Sequence, residues 1–214
     1  MKHSDIIPFY GGEHPEMFEI ERRCMDRQGK VIEALDQLLP NGMVLDVGAG
    51  NGFTAEQLQS NHRTIVAIEP DPLMIDSTKA IIWSKGTAQD IPFHISTFDA
   101  AYSTWAFFFE GVADLEKGLD EMKRIVKEDG LLVIVDNYGE DEFCSLSTNP
   151  IASNVDYWVN KGFEYQIIHT SFSFDSVEEA RKLLSFYFGE NAATINKTEF
   201  EYKVAMFIKK NTKE

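Results

Sequence analysis

Apolar residues recur along this chain with two periods, and the order in which those periods alternate predicts the architecture. Across 13–39, Met17, Ile20, Cys24, Val31, Leu35 and Leu38 keep a helical spacing that Pro40-Asn41-Gly42 brings to a stop. Val44-Leu45-Asp46-Val47 then reads as a buried strand, and Phe53–Leu58 as a helix with one apolar face. Thr64–Ile68 is a nearly continuous apolar strand, after which Asp71 and Pro72 have the chemistry of a helix cap and first position. Ile81-Ile82-Trp83 and Phe98–Tyr102 predict a third and a fourth strand. Leu115–Val126 predicts an amphipathic helix closed by Asp129-Gly130, and Leu131–Val135 a strand covered on both faces.

Strands that alternate with helices imply βαβ crossovers and a mostly parallel sheet. The tail changes period. Phe163–Phe174 and Glu199–Lys209 alternate apolar and polar residues as half-exposed strands do, with a helical stretch, Val177–Phe188, between them. An antiparallel pair at the sheet edge fits that pattern. No repeat, low-complexity segment or linker interrupts it, so the expectation is one domain spanning 1–214.

The first strand is followed by Gly48-Ala49-Gly50-Asn51-Gly52. Glycines at alternate positions permit positive φ and a close backbone approach, and the helix that follows aims free N–H groups above the strand. The dinucleotide-binding fingerprint spaces its glycines as G-x-G-x-x-G. Here they fall as G-x-G-x-G behind Asp46, an acid that would repel a pyrophosphate and suits a ligand bearing an ammonium group. The whole string resembles motif I of the class I S-adenosylmethionine (SAM) methyltransferases.

That resemblance extends through roughly 40–136 and implies a fold class. It is α/β, a three-layer sandwich with a mostly parallel seven-stranded sheet, an antiparallel C-terminal edge pair and residues 1–40 as an N-terminal helical lid. SAM is the implied cofactor, held by Asp46, Gly48, Gly50 and Gly52. Glu69, followed by Pro70 at the end of the second strand, supplies the family's second landmark, a carboxylate that accepts both ribose hydroxyls. Gly86-Thr87-Ala88-Gln89-Asp90-Ile91-Pro92-Phe93 looks like the element that lies along the adenine. Thr87, Ala88 and Gln89 map to the ring's edge, with Asp90 an alternative to either polar residue where many relatives carry acids.

Ser103 ends the fourth strand, where the family places the seam between cofactor and methyl acceptor. Ser103-Thr104-Trp105-Ala106 replaces the Asn/Asp-Pro-Pro-aromatic tetrad of amino methyltransferases acting on nucleobases, so that chemistry is not supported. Trp105 and Phe107 are candidates for the acceptor pocket, with core packing as the alternative for each ring. Tyr10 lies in the implied lid and is placed to reach the methionine carboxylate of SAM, as are Arg22 or Arg23 as cations. No general base is readable, and no catalytic residue is assigned. The resemblance implies methyl transfer to a small molecule, as in the group that includes quinone-biosynthesis methyltransferases. A SAM-binding protein without transferase activity and a nucleic-acid or protein methyltransferase are the alternatives.

Charge bears on the last of these. With 35 acidic against 20 basic residues and a net charge of −15, the chain disfavours nucleic acid and anionic membrane surfaces as partners. Cys24 and Cys144 and the five histidines show no metal-type spacing. The start lacks the apolar core of a signal peptide, and no apolar run reaches membrane-spanning length, so the expectation is a cytoplasmic protein.

Overall fold

In the computed structural model, which describes residues 12–106, 114–149 and 151–212, the apolar runs become seven strands. They are β1 (Gly42–Val47), β2 (Arg63–Ile68), β3 (Ile82–Ser84), β4 (Phe98–Thr104), β5 (Val126–Asn137), β6 (Glu164–Ser173) and β7 (Glu199–Lys210). One sheet takes them in the order β3-β2-β1-β4-β5-β7-β6. Its first five strands pair in parallel, and β7 runs antiparallel to both β5 and β6. The reversal of strand order on either side of β1 places a crevice at the carboxyl ends of β1, β2 and β4.

Successive strand residues point to opposite faces, and each face is covered. Val44, Ile65, Ala67, Ala100 and Val133 pack under helices α2 (Lys30–Leu38), α3 (Phe53–Leu58) and α6 (Val177–Phe188). Leu45, Val66, Ala101, Leu132 and Ile134 pack under α4 (Leu115–Ile125) and α5 (Val155–Asn160). No helix among the described residues is long and apolar enough to cross a membrane.

Two expected helices come out differently. The span 13–39 is not one helix but two, α1 (Pro15–Cys24) and α2, separated at Met25–Gly29. Asp26 takes φ 51° there, its N–H donates to Ser171 O at 3.1 Å, and Met25 bridges to Phe172 of β6. The Asp26 carboxylate then accepts from the N–H groups of Lys30 and Val31 and from Thr170 Oγ1, capping α2 from outside it. The edge strand therefore breaks the helix. No helix follows Asp71 and Pro72 either, because the two aspartates of this stretch bond their own backbone instead. Asp71 accepts from Leu73 N–H and Asp76 from Thr78 N–H, so 71–80 is a pair of turns. A third difference concerns β5, which begins at Val126, before Asp129-Gly130, and shifts register against β4 between the Phe98–Val126 and Ala100–Leu131 pairs.

Arg63 opens β2 and lies 6% exposed beneath the ends of two helices. It donates to the carbonyls of Asp36, Leu39 and Pro40 at the end of α2 and of Leu58 at the end of α3, and it pairs with the Asp36 carboxylate at 2.6 Å. Three carbonyls that helix geometry leaves unpaired, and that of Pro40 just beyond α2, are satisfied by one guanidinium.

Candidate functional site

The turn after β1 is built as the glycines require. Gly48, Gly50 and Gly52 all have positive φ, at 74°, 56° and 75°. A Cβ on Gly48 would lie 2.5 Å from Ala106 Cβ, and one on Gly52 2.5 Å from Ile81 Cδ1, so neighbouring chain excludes side chains at both. Gly50 is different. A Cβ there would meet Phe18 and Met74 only at 3.6 Å, and its N–H points at Glu69 Oε2, 2.9 Å away.

Glu69 is thus tied to the glycine loop across the β1–β2 crevice. Its other oxygen accepts from Asp71 N–H at 2.9 Å, with Pro70 half-buried between. Burial pushes its pKa up to about 7, against the lowering effect of the two backbone donors. Asp46, at the end of β1, is 1% exposed and also rises to about 7 through burial, with the Tyr102 hydroxyl at 2.9 Å pulling the other way. Its second oxygen, Oδ1, is buried without a partner. Asp136, near the end of β5, is a third buried carboxyl raised to about 7, bonded by Ser153 Oγ at 2.6 Å.

Along the segment after β3, Thr87 is 3% exposed and its Oγ1 has no partner, whereas the Gln89 amide donates to Asp114 O at 3.3 Å. Ala88 is half-buried, Asp90 is exposed, and Ile91 is in the core. Ser103 is fully buried with its hydroxyl on Val47 O, where it ties β4 to β1. Trp105, just beyond β4, takes φ 49°. Its indole N–H donates to Tyr202 Oη at 2.7 Å, and that hydroxyl donates in turn to Asn137 Oδ1. Arg22 Cζ lies 5.5 Å from the Trp105 ring, 5.5 Å from Phe18 and 5.9 Å from Phe53, so three elements meet on one guanidinium. Arg23 points elsewhere and pairs with Asp175 and Glu179 beside α6. Tyr10 and Phe107 lie outside the described residues.

The model of the methyltransferase domain matches residues 45–134, from β1 through β5, the span that holds the glycine loop, Glu69 and Trp105. Residues 45–134 therefore resemble a methyltransferase domain. An uncharacterized methyltransferase of Mycobacterium tuberculosis is 32% identical over 111 residues, 49% of this chain and 44% of that protein. A ubiquinone/menaquinone biosynthesis C-methyltransferase of Citrifermentans bemidjiense is 35% identical over 109 residues, 45% of this chain and 46% of its own length. In both alignments the matched region spans less than half of the relative. Among solved structures, YcgJ of Bacillus subtilis superposes with a TM-score of 0.60 at 20% identity, covering 87% of this chain and 98% of that one. The [4+2]-cyclase SpnF superposes at 0.55 with 16% identity, over 88% of this chain and 81% of its own. These two likenesses establish the methyltransferase fold and nothing about chemistry.

The fold brings Asp46, Gly50 and Glu69, all singled out in the sequence, to one crevice. Tyr202 and Asn137 carry no sequence signal, since their hold on Trp105 joins positions far apart in sequence. Arg22 had a sequence signal only as a cation near the implied lid. The three rings around it come from positions 18, 53 and 105.

Proposed function

We propose that this chain transfers the methyl group of SAM to a small-molecule acceptor. The carrying observation is the crevice at the ends of β1 and β2. There the bare Oδ1 of Asp46 and the Glu69 carboxylate, held on the Gly50 and Asp71 N–H groups, are two buried acids whose charge no cation among the described residues offsets. A ligand with a positive charge and a diol fits that need. SAM, when bound, supplies a methyl group on a sulfonium, activated for in-line displacement that leaves a neutral thioether. Glu69 would accept the ribose hydroxyls, Asp46 would offset the positive charge, and Thr87 Oγ1 would offer the adenine edge a donor or acceptor. Trp105 positions the acceptor, in a transfer that needs alignment and exclusion of water more than acid–base help. A single domain is part of this reading, and α2, packed on the sheet through Val31 and Leu35, belongs to its core and not to a lid.

The raised acids set the direction of the pH dependence. Asp46, Glu69 and Asp136 have folded pKa values near 7, well above their unfolded values. The stability they carry is fully present below the unfolded carboxylate range and is lost as pH rises through about 7. The melting temperature of the ligand-free protein is expected to fall between about pH 5 and pH 8. Positive charge in the crevice favours the ionised acids. SAM affinity should therefore rise with pH, by up to about tenfold per pH unit for each acid that ionises on binding, and level off above about pH 7, with proton release on binding. Calorimetry in buffers of different ionisation enthalpy measures that release. Proton uptake, or an affinity flat in pH, contradicts the placement of SAM over these acids.

Trp105→Ala is expected to lower turnover by about tenfold or more while SAM affinity moves by less than about twofold, because the ring positions acceptor rather than cofactor. Equal losses in both would remove Trp105 from the acceptor side.

A further inference from the structure

Between α1, the start of α3 and Trp105 lies a cavity of about 540 Å³. Its lining does not include Gly48, Gly50, Glu69 or Thr87, so it adjoins the crevice assigned to SAM without being that crevice. The charge balance of the chain is locally reversed around it. Arg22, Arg23, Arg27 and Lys79 face Glu19, Asp26 and Asp76, in a protein whose carboxylates outnumber its cations 35 to 20.

Most of these charges are already used. Arg23 and Arg27 pair with Asp175, Lys79 pairs with Glu56 at 3.3 Å, and Asp26 caps α2. Arg22 is the least satisfied of them. Its side chain is 12% exposed, its Nε is buried with no hydrogen-bond partner among the described residues, and there Nη2 reaches Met25 Sδ at 3.5 Å and Glu21 at 3.7 Å. A buried donor left unpaired is costly, so the site is incomplete as it stands. Rings lie around the guanidinium, which leaves its edge for hydrogen bonds, and the guanidinium fork matches a carboxylate.

We propose that this cavity is the methyl-acceptor pocket and takes a small carboxylic acid with a flat apolar body, its carboxylate on the edge of Arg22 and its body against Trp105 and Phe53. The proposal rests on the methyltransferase reading above. It assigns Arg22 to the acceptor and not to the methionine carboxylate of SAM, because the cavity touches the glycine loop only at Asn51 and includes neither its glycines nor Glu69. A volume of this size lies within the range of small-molecule pockets.

The test compares 2-naphthoate with its uncharged counterpart 2-naphthol by calorimetry, with and without saturating S-adenosylhomocysteine, at about pH 8. The acid is expected to bind at least about tenfold more tightly than the naphthol. Arg22→Gln should erase that preference while S-adenosylhomocysteine affinity stays within about twofold of wild type. Arg22→Lys, which keeps the charge without the fork, should retain part of the preference and serves if the glutamine variant does not fold. Equal binding of the two probes, no binding of the acid at millimolar concentration, or a preference that survives in Arg22→Gln overturns the proposal. So does a loss of S-adenosylhomocysteine affinity that matches the loss for naphthoate, since Arg22 would then hold the cofactor. If wild type fails to bind S-adenosylhomocysteine at all, the methyltransferase reading falls, and the naphthoate comparison without it still judges the anion pocket.

Discussion

Arg63→Ala is expected to lose about 3–5 kcal/mol of unfolding free energy, the range for removing one partner from a buried charged network. The guanidinium serves four backbone carbonyls at the ends of α2 and α3 together with the Asp36 carboxylate. Alanine leaves those carbonyls beneath the helices without donors and opens a gap where a long side chain was packed. Asp36 itself is 63% exposed, so its lost pairing adds little, and the carbonyls carry the effect. Arg63→Lys should recover only part of the loss, because a single ammonium with three donors cannot reach acceptors spread over two helix ends. Denaturant unfolding measures both. A loss under about 1 kcal/mol for the alanine variant would mean that water replaces the guanidinium at no cost.

Glu69→Ala is expected to weaken S-adenosylhomocysteine binding by about 1.5–3 kcal/mol, roughly 10- to 150-fold, the range for hydrogen bonds to a charged group. Two contributions act together. The ribose hydroxyls lose their acceptor, and the Gly50 N–H loses the carboxylate that holds the glycine loop against β2. Stability should respond in the opposite sense above about pH 7, because removing a buried acid whose pKa is raised relieves the cost of ionising it. Unchanged affinity in a folded variant would put the ribose elsewhere.

The parts of this molecule that the sequence made legible are those whose cause is local. The strands of the parallel sheet announce themselves because they are buried on both faces and read as apolar runs. The glycine loop is readable because Gly48 and Gly52 must exclude a Cβ, which restricts residue type at fixed spacing. What was not legible is set by distant partners. The break between α1 and α2 depends on Thr170, Ser171 and Phe172 of the edge strand, and nothing in Met25–Gly29 alone competes with a helical pattern strongly enough to show it. The missing helix after Asp71 is a near miss of another kind. A cap residue and a proline are equally the chemistry of a turn, and no sustained apolar face follows to decide between them. In the site, the acids were readable from their place at strand ends. The tether of Trp105 to Tyr202 and the rings around Arg22 join residues that only the folded chain brings together.

The central claim is that SAM's methyl group goes from this crevice to a small molecule. Incubating the purified protein with methyl-labelled SAM and a metabolite extract, beside nucleic acid and protein fractions, tests it most directly. The account predicts label in a low-mass product, lost in Glu69→Ala and strongly reduced in Trp105→Ala. Label carried into RNA, DNA or protein, or a protein that binds SAM and transfers nothing to any fraction, would contradict it.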